Sequence, residues 1–191
     1  GVYFYDRSGN RLWVYFAGNA VLDAATNGDY VVAGSRDQKL YLLRNNGSPV
    51  CSYETGGEVV AVAISADGNY IAAGSGDGNA YFLDKSCSLL WKFPAAFTVN
   101  GVSLSSDGSF AVAGSAGGNF YLFDKRGFAI WTKRMGSIGI LDAAISPNGK
   151  YVAIGTTDYY VHVYLSNAST PTPTPTQTAT TVRVNATPIL T

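Results

Sequence analysis

The feature that most constrains this chain is a motif that occurs four times, at steps of 40, 40 and 41 residues. Each copy begins with Asn or Asp followed by Gly, with an aromatic residue three positions after the start; the copies begin at Asn27, Asp67, Asp107 and Asn148. Seven residues after each start, a glycine is followed by Ser or Thr. A fixed period of this length indicates that one structural unit is stacked repeatedly along the chain.

Each repeat contains four short segments with the properties of β-strands. In the second copy these are residues 59–64, 70–74, 79–83 and 89–93, and Asp-Gly pairs separate the first three segments. An Asp-Gly pair between β segments predicts a tight hairpin, because both central residues of such a turn need positive φ. No window has the 3.6-residue periodicity of a helix. Four antiparallel strands per repeat predict an all-β fold in which each copy is one blade of a β-propeller.

Two stretches of these repeats resemble known propeller families. Residues 64–78 resemble the core of a WD repeat, and residues 124–127 with Trp131 are similar to the tryptophan-docking motif of quinoprotein-like (PQQ-like) propellers. The resemblance covers residues 1–164. The chain departs from the WD-repeat pattern, because no Gly-His pair precedes the inner strands. It departs from the quinoprotein pattern, because no set of residues matches the ligands of a quinone.

The resemblance implies three full four-stranded blades and two partial ones. The chain opens with a third and an outer strand, at residues 2–5 and 12–15, and the last copy lacks its own outer strand. We therefore expect part of a larger ring, or a ring that closes in an unusual way. The predicted domains are the blades at 1–165 and a Thr/Pro-rich stalk at 166–191.

The same resemblance implies roles for the Trp and Cys residues. In the docking motif, the Trp of one repeat stacks on a Gly peptide of the next. Trp13, Trp91 and Trp131 are therefore expected to pack between blades, and their regular spacing disfavours a carbohydrate-stacking set. Cys51 takes the Trp position and Cys87 the Gly position of one such contact, so the resemblance implies a disulfide that joins neighbouring blades.

Catalytic, metal and cofactor sites are not expected. The chain has a single histidine, His162, which stands where the other repeats have Tyr and is interpreted as a packing residue. There is no G-x-S-x-G motif for an activated serine, and one His with two Cys does not make a metal-ligand cluster. We therefore predict that the protein is not an enzyme.

Two groups of polar residues have more than one interpretation. Asp23 and Asp142 share a Leu-Asp-Ala-Ala context and are possible channel-facing residues, able to bind a cation or a sugar hydroxyl; we favour the alternative, in which they accept hydrogen bonds from loop amides. The hydroxyl–carboxylate pairs at the turn after each second strand are expected to cap that turn; they are Ser35/Asp37, Ser75/Asp77 and Thr156/Asp158, and the copy with Ser115 and Gly117 is expected to be the loosest.

Composition excludes some partners and divides the chain. The 13 basic and 13 acidic residues give a net charge of zero, so nucleic acid is not an expected partner. All 25 aromatic residues lie at or before Tyr164, and residues 170–178 alternate Thr with Pro, which predicts an extended spacer. Residues 181–187 form a possible β-strand, which would add to the uncovered edge of the last blade, by preference in a neighbouring chain; the alternative, which stays open, is that the tail is only a flexible stalk.

The location and function follow from these features as hypotheses. Sequons begin at Asn46, Asn167 and Asn185, of which Asn46 and Asn185 have Pro directly after the sequon; Asn167 and Asn185 are the candidate glycosylation sites. We expect an extracellular or cell-surface, non-enzymatic propeller that acts as a scaffold or an adhesion module and binds a protein or a glycan. One alternative is a subunit of a fibre or surface layer that assembles with itself by C-terminal strand addition. A second alternative is a fragment of a quinoprotein-like enzyme.

Overall fold

The computed structural model describes residues 1–166 together with the backbone of residues 182–185. Every regular element in this part of the chain is a β-strand, and no helix long and apolar enough to cross a membrane occurs in it. In chain order the strands are β1 (Val2–Tyr5), β2 (Arg11–Tyr15), β3 (Val21–Thr26), β4 (Tyr30–Ser35), β5 (Lys39–Arg44), β6 (Pro49–Glu54), β7 (Val59–Ile64), β8 (Tyr70–Ser75), β9 (Asn79–Asp84), β10 (Leu89–Pro94), β11 (Val99–Leu104), β12 (Phe110–Ser115), β13 (Asn119–Asp124), β14 (Ala129–Arg134), β15 (Ile140–Ile145), β16 (Tyr151–Thr156), β17 (Tyr160–Leu165) and β18 (Val182–Asn185).

The strands form five antiparallel sheets, which we name blades I to V. Blade I has two strands, β1 and β2; the other four blades have four strands each, in the order of the chain: β3–β6, β7–β10, β11–β14 and β15–β18. The strong contacts between elements join blades II to V, each to the next along the chain, with the inner strands β3, β7, β11 and β15 side by side. Blade I packs on blade II through side chains that include Val2, Val31 and Leu43. The predicted all-β propeller blades are therefore confirmed.

The turn chemistry of the repeat sets the ends of the strands. In blade III the Asp67 carboxylate accepts a hydrogen bond from the Asn69 amide at 3.0 Å, and the Ser65 hydroxyl accepts one from the Tyr70 amide at 3.0 Å. Gly68 between them has φ 70°, a conformation that costs little only for glycine. The same turn recurs with Gly108 and Gly149, which is why the Asn/Asp-Gly period was visible in the sequence.

The core lies between the blades. At the interface of blades III and IV, Phe82, Trp91 and Phe93 of one sheet pack against Tyr121 and Phe123 of the next. Each sheet is thus apolar on both faces, as expected for a stack in which every inner blade has two neighbours.

The last blade differs from the prediction: it has an outer strand of its own, so four blades rather than three are four-stranded and only blade I is partial. Its outer strand is β18, which pairs antiparallel with β17 so that Val182 lies opposite Val163 and Asn185 opposite Tyr160. We expected this segment to join a neighbouring chain, and that preference is wrong: the segment pairs within its own chain. The edge of β17 is thereby covered by backbone hydrogen bonding, which removes an exposed strand edge.

Candidate interaction surfaces

The turns between second and third strands and the linkers between blades lie at the same end of the sheets, which we call the loop rim. Backbone hydrogen bonds join the two kinds of segment, for example from the Ala116 amide to the Thr98 carbonyl at 2.8 Å and from the Thr157 amide to the Gly139 carbonyl at 3.0 Å. Loops positioned in this way on a rigid sheet are where propeller-like folds can carry binding residues.

The carboxylates at the loop rim are occupied by structural hydrogen bonds. Asp77 accepts from the Tyr81 hydroxyl, from the Asn79 amide at 3.0 Å, and from the Gly56 amide in the linker before blade III at 3.1 Å. Asp37 repeats this arrangement, with the Tyr41 hydroxyl at 2.6 Å. These aspartates hold a turn, a strand and a linker together.

The titration of these groups follows from the same contacts. Burial raises the pKa of Asp77, but the hydrogen bonds from Tyr81 and Asn79 outweigh burial, and the net pKa lies below the ordinary value. Burial, together with the hydrogen bond to the carboxylate, raises the pKa of Tyr81 to about 12, and Tyr41 behaves in the same way.

The third copy of this turn is built differently, whereas in the fourth copy Asp158 accepts hydrogen bonds from the Thr156 hydroxyl and from the Tyr160 amide. Gly117 stands where the others have Asp, and the Phe97 ring lies directly over it, so that an added Cβ would clash with the ring. The Ser115 hydroxyl is buried and has no hydrogen-bond partner in the described part of the chain. The turn that we expected to be loosest has therefore lost its polar contacts, but an aromatic side chain fills the space.

His162 takes the position of the rim tyrosines in blade V. Its side chain is 2 % exposed, its Nε2 has no hydrogen bond within the described residues, and the nearest carboxylate oxygen is that of Asp158 at 3.8 Å. The Tyr160 ring packs edge-on against it. The described residues contain no group of three His, Cys, Asp or Glu side chains able to hold a metal ion. His162 is thus placed as a packing residue.

Asp23 lies at the interface of two blades. Its Oδ2 accepts a hydrogen bond at 2.8 Å from the amide of Val62, in the inner strand β7 of the next blade, and its Oδ1 accepts one from Ala24 at 2.8 Å. The expected partner was a loop amide, and this detail is wrong: the partner is a strand amide. Asp142 makes the corresponding bond to its own neighbour Ala143 at 2.8 Å, but blade V is the last described blade and no following strand supplies a second amide.

The tryptophans and cysteines lie between the outer parts of neighbouring blades. Trp13 packs over Gly47 and donates to the Asn45 carbonyl at 2.7 Å. Trp91 packs over Gly127 and donates to the Lys125 carbonyl at 3.1 Å. Their indole rings are therefore used in blade packing.

Between blades II and III the equivalent contact is a disulfide. Cys51 and Cys87 are joined, with their Cα atoms 6.0 Å apart, where the resemblance implied a bridge. Trp131 packs against Phe120 and Tyr164, but its Nε1 has no hydrogen-bond partner among the described residues. Among the described residues, Trp131 of blade IV is thus held against blade V by ring packing, without a hydrogen bond from its indole nitrogen.

The loop rim also carries exposed aromatic side chains that sequence reasoning did not single out. Phe16 and Phe97 are in linkers and Tyr159 is in a turn; the Tyr159 side chain is 92 % exposed. A single exposed aromatic residue has no sequence signal, because its exposure depends on how the blades stack. Phe128 is similarly exposed but lies at the opposite end, in the turn before β14.

No described residue covers the outward face of blade V, which we call the terminal blade face. It consists of Tyr151, Ala153 and Gly155 of β16 with their cross-strand neighbours Leu165, Val163 and Val161 of β17. Val161 is 45 % exposed, whereas Leu40, Ala80 and Phe120 at the same position of blades II to IV are buried by the blade that follows. This face is an exposed copy of a blade-packing surface.

The glycine at one repeated position of the second strand shows the same difference between blade V and blades II to IV. Gly34, Gly74 and Gly114 are pressed by the first inner-strand residue of the following blade, respectively Val59, Val99 and Ile140. Gly155, at the same position in blade V, has nothing within 4 Å. The terminal blade face therefore keeps the shape that receives a neighbour.

At the opposite end of the stack, too, no described residue covers the outer face of blade I. Tyr3 and Tyr5 of β1 are about half-exposed, whereas Tyr121 and Phe123 at the same positions of blade IV are buried against blade III. Of the candidate glycosylation sites, Asn167 lies outside the described residues, and only the backbone of Asn185 is described.

Comparison with known families agrees with this architecture. A family model described as "beta-propeller protein" matches residues 1–83, and one described as "WD domain, G-beta repeat" matches residues 87–124. No curated protein matches the sequence. Neither matched model is that of a quinoprotein, so this part of the resemblance is not confirmed. The two matches and the repeated four-stranded sheets support a WD-repeat β-propeller fold.

Proposed function

We propose that this chain is a non-enzymatic scaffold, displayed outside the cell, that binds a protein partner through its loop rim. The observation that carries the proposal is the set of exposed aromatic side chains on that rim: Phe16, Phe97 and Tyr159. Aromatic side chains provide large contact areas at low entropic cost and are enriched among residues that dominate binding energy. WD-repeat propellers are typically non-enzymatic and commonly bind proteins.

The polar groups of the rim support a binding role rather than catalysis. Asp37 and Asp77 are each engaged by a tyrosine hydroxyl and a backbone amide, and His162 is buried. A catalytic acid, base or nucleophile needs an accessible group positioned against a substrate. The two aspartates are already used to hold the turns, and the Glu58 carboxylate on the same rim is ion-paired with Arg36 at 3.1 Å.

The proposed extracellular location rests on the disulfide and on the sequence of the tail. Disulfides such as Cys51–Cys87 persist in oxidising compartments and are rare in the cytosol. The Thr/Pro-rich segment with a sequon at Asn167 suits a surface stalk. When this protein is isolated from its source cells, alkylated without reductant and analysed by mass spectrometry, neither Cys51 nor Cys87 should be alkylated. Proteolysis at the surface of intact cells should release the protein into the medium.

The binding proposal is tested with variants that leave the blades intact. Phe16→Ser and Tyr159→Ser remove exposed aromatic side chains from the rim, and Phe128→Ser removes one of similar exposure from the opposite end as a matched control. A partner that cross-links to the wild-type chain on the cell surface should not cross-link to either rim variant, and it should still cross-link to the control variant.

Three results would contradict the proposal. Loss of the partner with the Phe128 variant alone would move the site to the other end of the sheets. Equal retention by all three variants would show that the rim aromatics do not bind. Capture of a glycan rather than a protein, with the same dependence on the rim, would keep the site and change the class of partner.

A further inference from the structure

The loop rim between blades III and IV departs from the repeat at positions that meet in one contact. At blade III, the Gly56 amide of the preceding linker donates a hydrogen bond at 3.1 Å to the Asp77 carboxylate of the turn. At blade IV, Gly117 takes the place of that aspartate and Ala96 takes the place of the linker glycine. The next residue is Phe97, whose ring lies where a side chain on Gly117 would begin. An aromatic ring thus stands where the neighbouring blade has a carboxylate.

This arrangement is less favourable inside the chain than the one it replaces. Ala96 has φ 70°, a left-handed conformation that is unfavourable for a residue with a Cβ. The Ser115 hydroxyl is buried without a hydrogen-bond partner among the described residues, whereas the equivalent hydroxyl of Ser75 lies 3.4 Å from that of Thr55. Ala95 stands where blade III has that threonine. The ring fills the space, but it does not restore these hydrogen bonds.

What the arrangement provides is an aromatic ring that is held in place and faces solvent. Phe97 is 57 % exposed, although its ring rests on Gly117. The same linker lies against the turn of blade III, because a Cβ on Gly78 would be 3.4 Å from the Phe97 amide nitrogen. This position is an interior interface of the stack, away from both ends. A strained backbone beside an exposed ring points to a role that internal packing does not explain.

The surface around the ring is uncharged and consists mainly of small residues. Residues 95–98, 116–119 and 135–139 form the turn of blade IV and the linkers on either side, and they contain no charged side chain. The corresponding segments of the rim at blades II and III carry five: Arg36, Asp37, Lys39, Glu58 and Asp77. A charged ligand group next to Phe97 would therefore lose water without meeting an opposite charge.

We propose that Phe97 stacks on a proline ring in an uncharged, extended segment of the partner protein. The inference rests on the proposed function, because it names the chemistry that the loop rim recognises. Proline-rich segments dock on surface aromatic rings, and they are already extended before they bind, so they lose little conformational freedom. The floor of Ala96, Ala116 and Gly117 around the ring is shallow, and an extended segment needs no deep groove.

A neutral sugar is the alternative ligand for an exposed aromatic ring. Each sugar unit presents several hydroxyl groups that need hydrogen-bond partners. The three uncharged ranges contain only three polar side chains: Thr98, Asn119 and Ser137. The composition of this surface therefore favours the proline-rich segment.

One set of substitutions rebuilds the contact of blade III at blade IV. Ala95→Thr, Ala96→Gly, Phe97→Gly and Gly117→Asp together give blade IV the residues that blade III has, and we call this chain the exchange variant. Its Tm should be higher than that of wild type, because the left-handed alanine is gone and the Ser115 hydroxyl gains a threonine partner. Phe97→Ser removes the ring alone, and Phe128→Ser removes an exposed ring at the opposite end as the control.

Binding is measured by NMR titration with three uncharged probes: decaproline, a decapeptide of alternating Gly and Ser, and maltohexaose. Wild type and the Phe128→Ser control should bind decaproline more tightly than the other two probes. The exchange variant and Phe97→Ser should bind decaproline weaker by roughly tenfold or more, as expected for loss of a central aromatic contact. The cell-surface partner should no longer cross-link to the exchange variant, although that variant is the more stable protein.

Several results would overturn the inference. Wild type that does not bind decaproline, or that binds maltohexaose more tightly, excludes the proline-rich ligand. Equal decaproline binding by wild type and the exchange variant excludes Phe97 as the contact, and a lower Tm of the exchange variant removes the argument from strain.

The cross-linking result separates this inference from the proposed function. A partner that is lost with Phe16→Ser and Tyr159→Ser but retained by the exchange variant overturns the inference and leaves the proposed function intact. If every rim variant retains the partner, the proposed function fails, and decaproline binding that depends on Phe97 would still support the ligand chemistry of this site.

Discussion

The bond between Asp23 and the Val62 amide gives a prediction with a control built into the repeat. Asp23 and Asp142 occupy the same position of blades II and V, and each accepts a hydrogen bond from the amide of the next residue at 2.8 Å. Only Asp23 also accepts one from the following blade, from Val62 at 2.8 Å. Replacing either by Ala removes the local bond, so the difference between the two variants reports the inter-blade bond.

The expected difference follows from the chemistry of that bond. A hydrogen bond to a charged group contributes about 1.5–3 kcal/mol, and the half-buried position of Asp23 places the expected value in the lower part of that range. We therefore expect Asp23→Ala to lower the free energy of unfolding by about 1.5–2 kcal/mol more than Asp142→Ala. For a chain of this length that corresponds to a difference in Tm of about 3–8 °C.

The assay is equilibrium unfolding in urea at neutral pH, followed by tyrosine and tryptophan fluorescence, with thermal unfolding as a second measurement. Asp23→Asn keeps one acceptor oxygen and should fall between wild type and Asp23→Ala. Equal losses for Asp23→Ala and Asp142→Ala would refute the argument, because they would show that the inter-blade bond adds nothing to the local one.

Three further predictions concern the disulfide and the rim. Reduction of Cys51–Cys87, which closes a loop of 36 residues, should lower the free energy of unfolding by about 2–4 kcal/mol in urea unfolding, and reductant should have no effect on a chain in which both are Ala. The folded-state pKa of Asp77 lies below its unfolded value, so its contribution to stability is present above the unfolded pKa and lost as pH falls through the folded pKa. As pH falls from about 5 to about 2, the free energy of unfolding should therefore decrease less in Asp77→Asn than in wild type. The pKa of Tyr81 is raised from 10.0 to about 12, so its contribution is present below pH 10.0 and lost as pH rises through about 12. In Asp77→Ala, tyrosinate absorbance should show one late-titrating tyrosine that titrates earlier than in wild type, because the hydrogen bond to the carboxylate is lost while burial remains.

Much of the fold was predictable because the repeat carries its turn chemistry in the sequence. Gly68 and Gly108 have φ of 70° and 65°, and every copy has glycine at this position, so its period is visible without an alignment. The turn at Gly78 is less strict, because Gln38 and Tyr159 take the same position with φ of 71° and 69°. The cysteine bridge was implied for a related reason: two exceptions at two repeated positions coincide at a single contact.

The sequence was less informative where a contact depends on how one blade sits on the next. The partner of Asp23 is a backbone amide 39 residues away, and backbone amides have no sequence signal of their own. The pairing of β18 with its own chain depends on the path of the intervening residues, which a strand pattern at 182–185 does not specify. The place of the Phe97 ring over Gly117 likewise follows from the stacking of blades III and IV.

The departures from the repeat show how far each blade depends on its neighbours. A disulfide takes the place of a Trp–Gly contact between blades II and III, and Phe97 takes the place of an aspartate at Gly117. Each change is compensated inside one pair of adjacent blades, because a stack of this kind has only nearest-neighbour contacts.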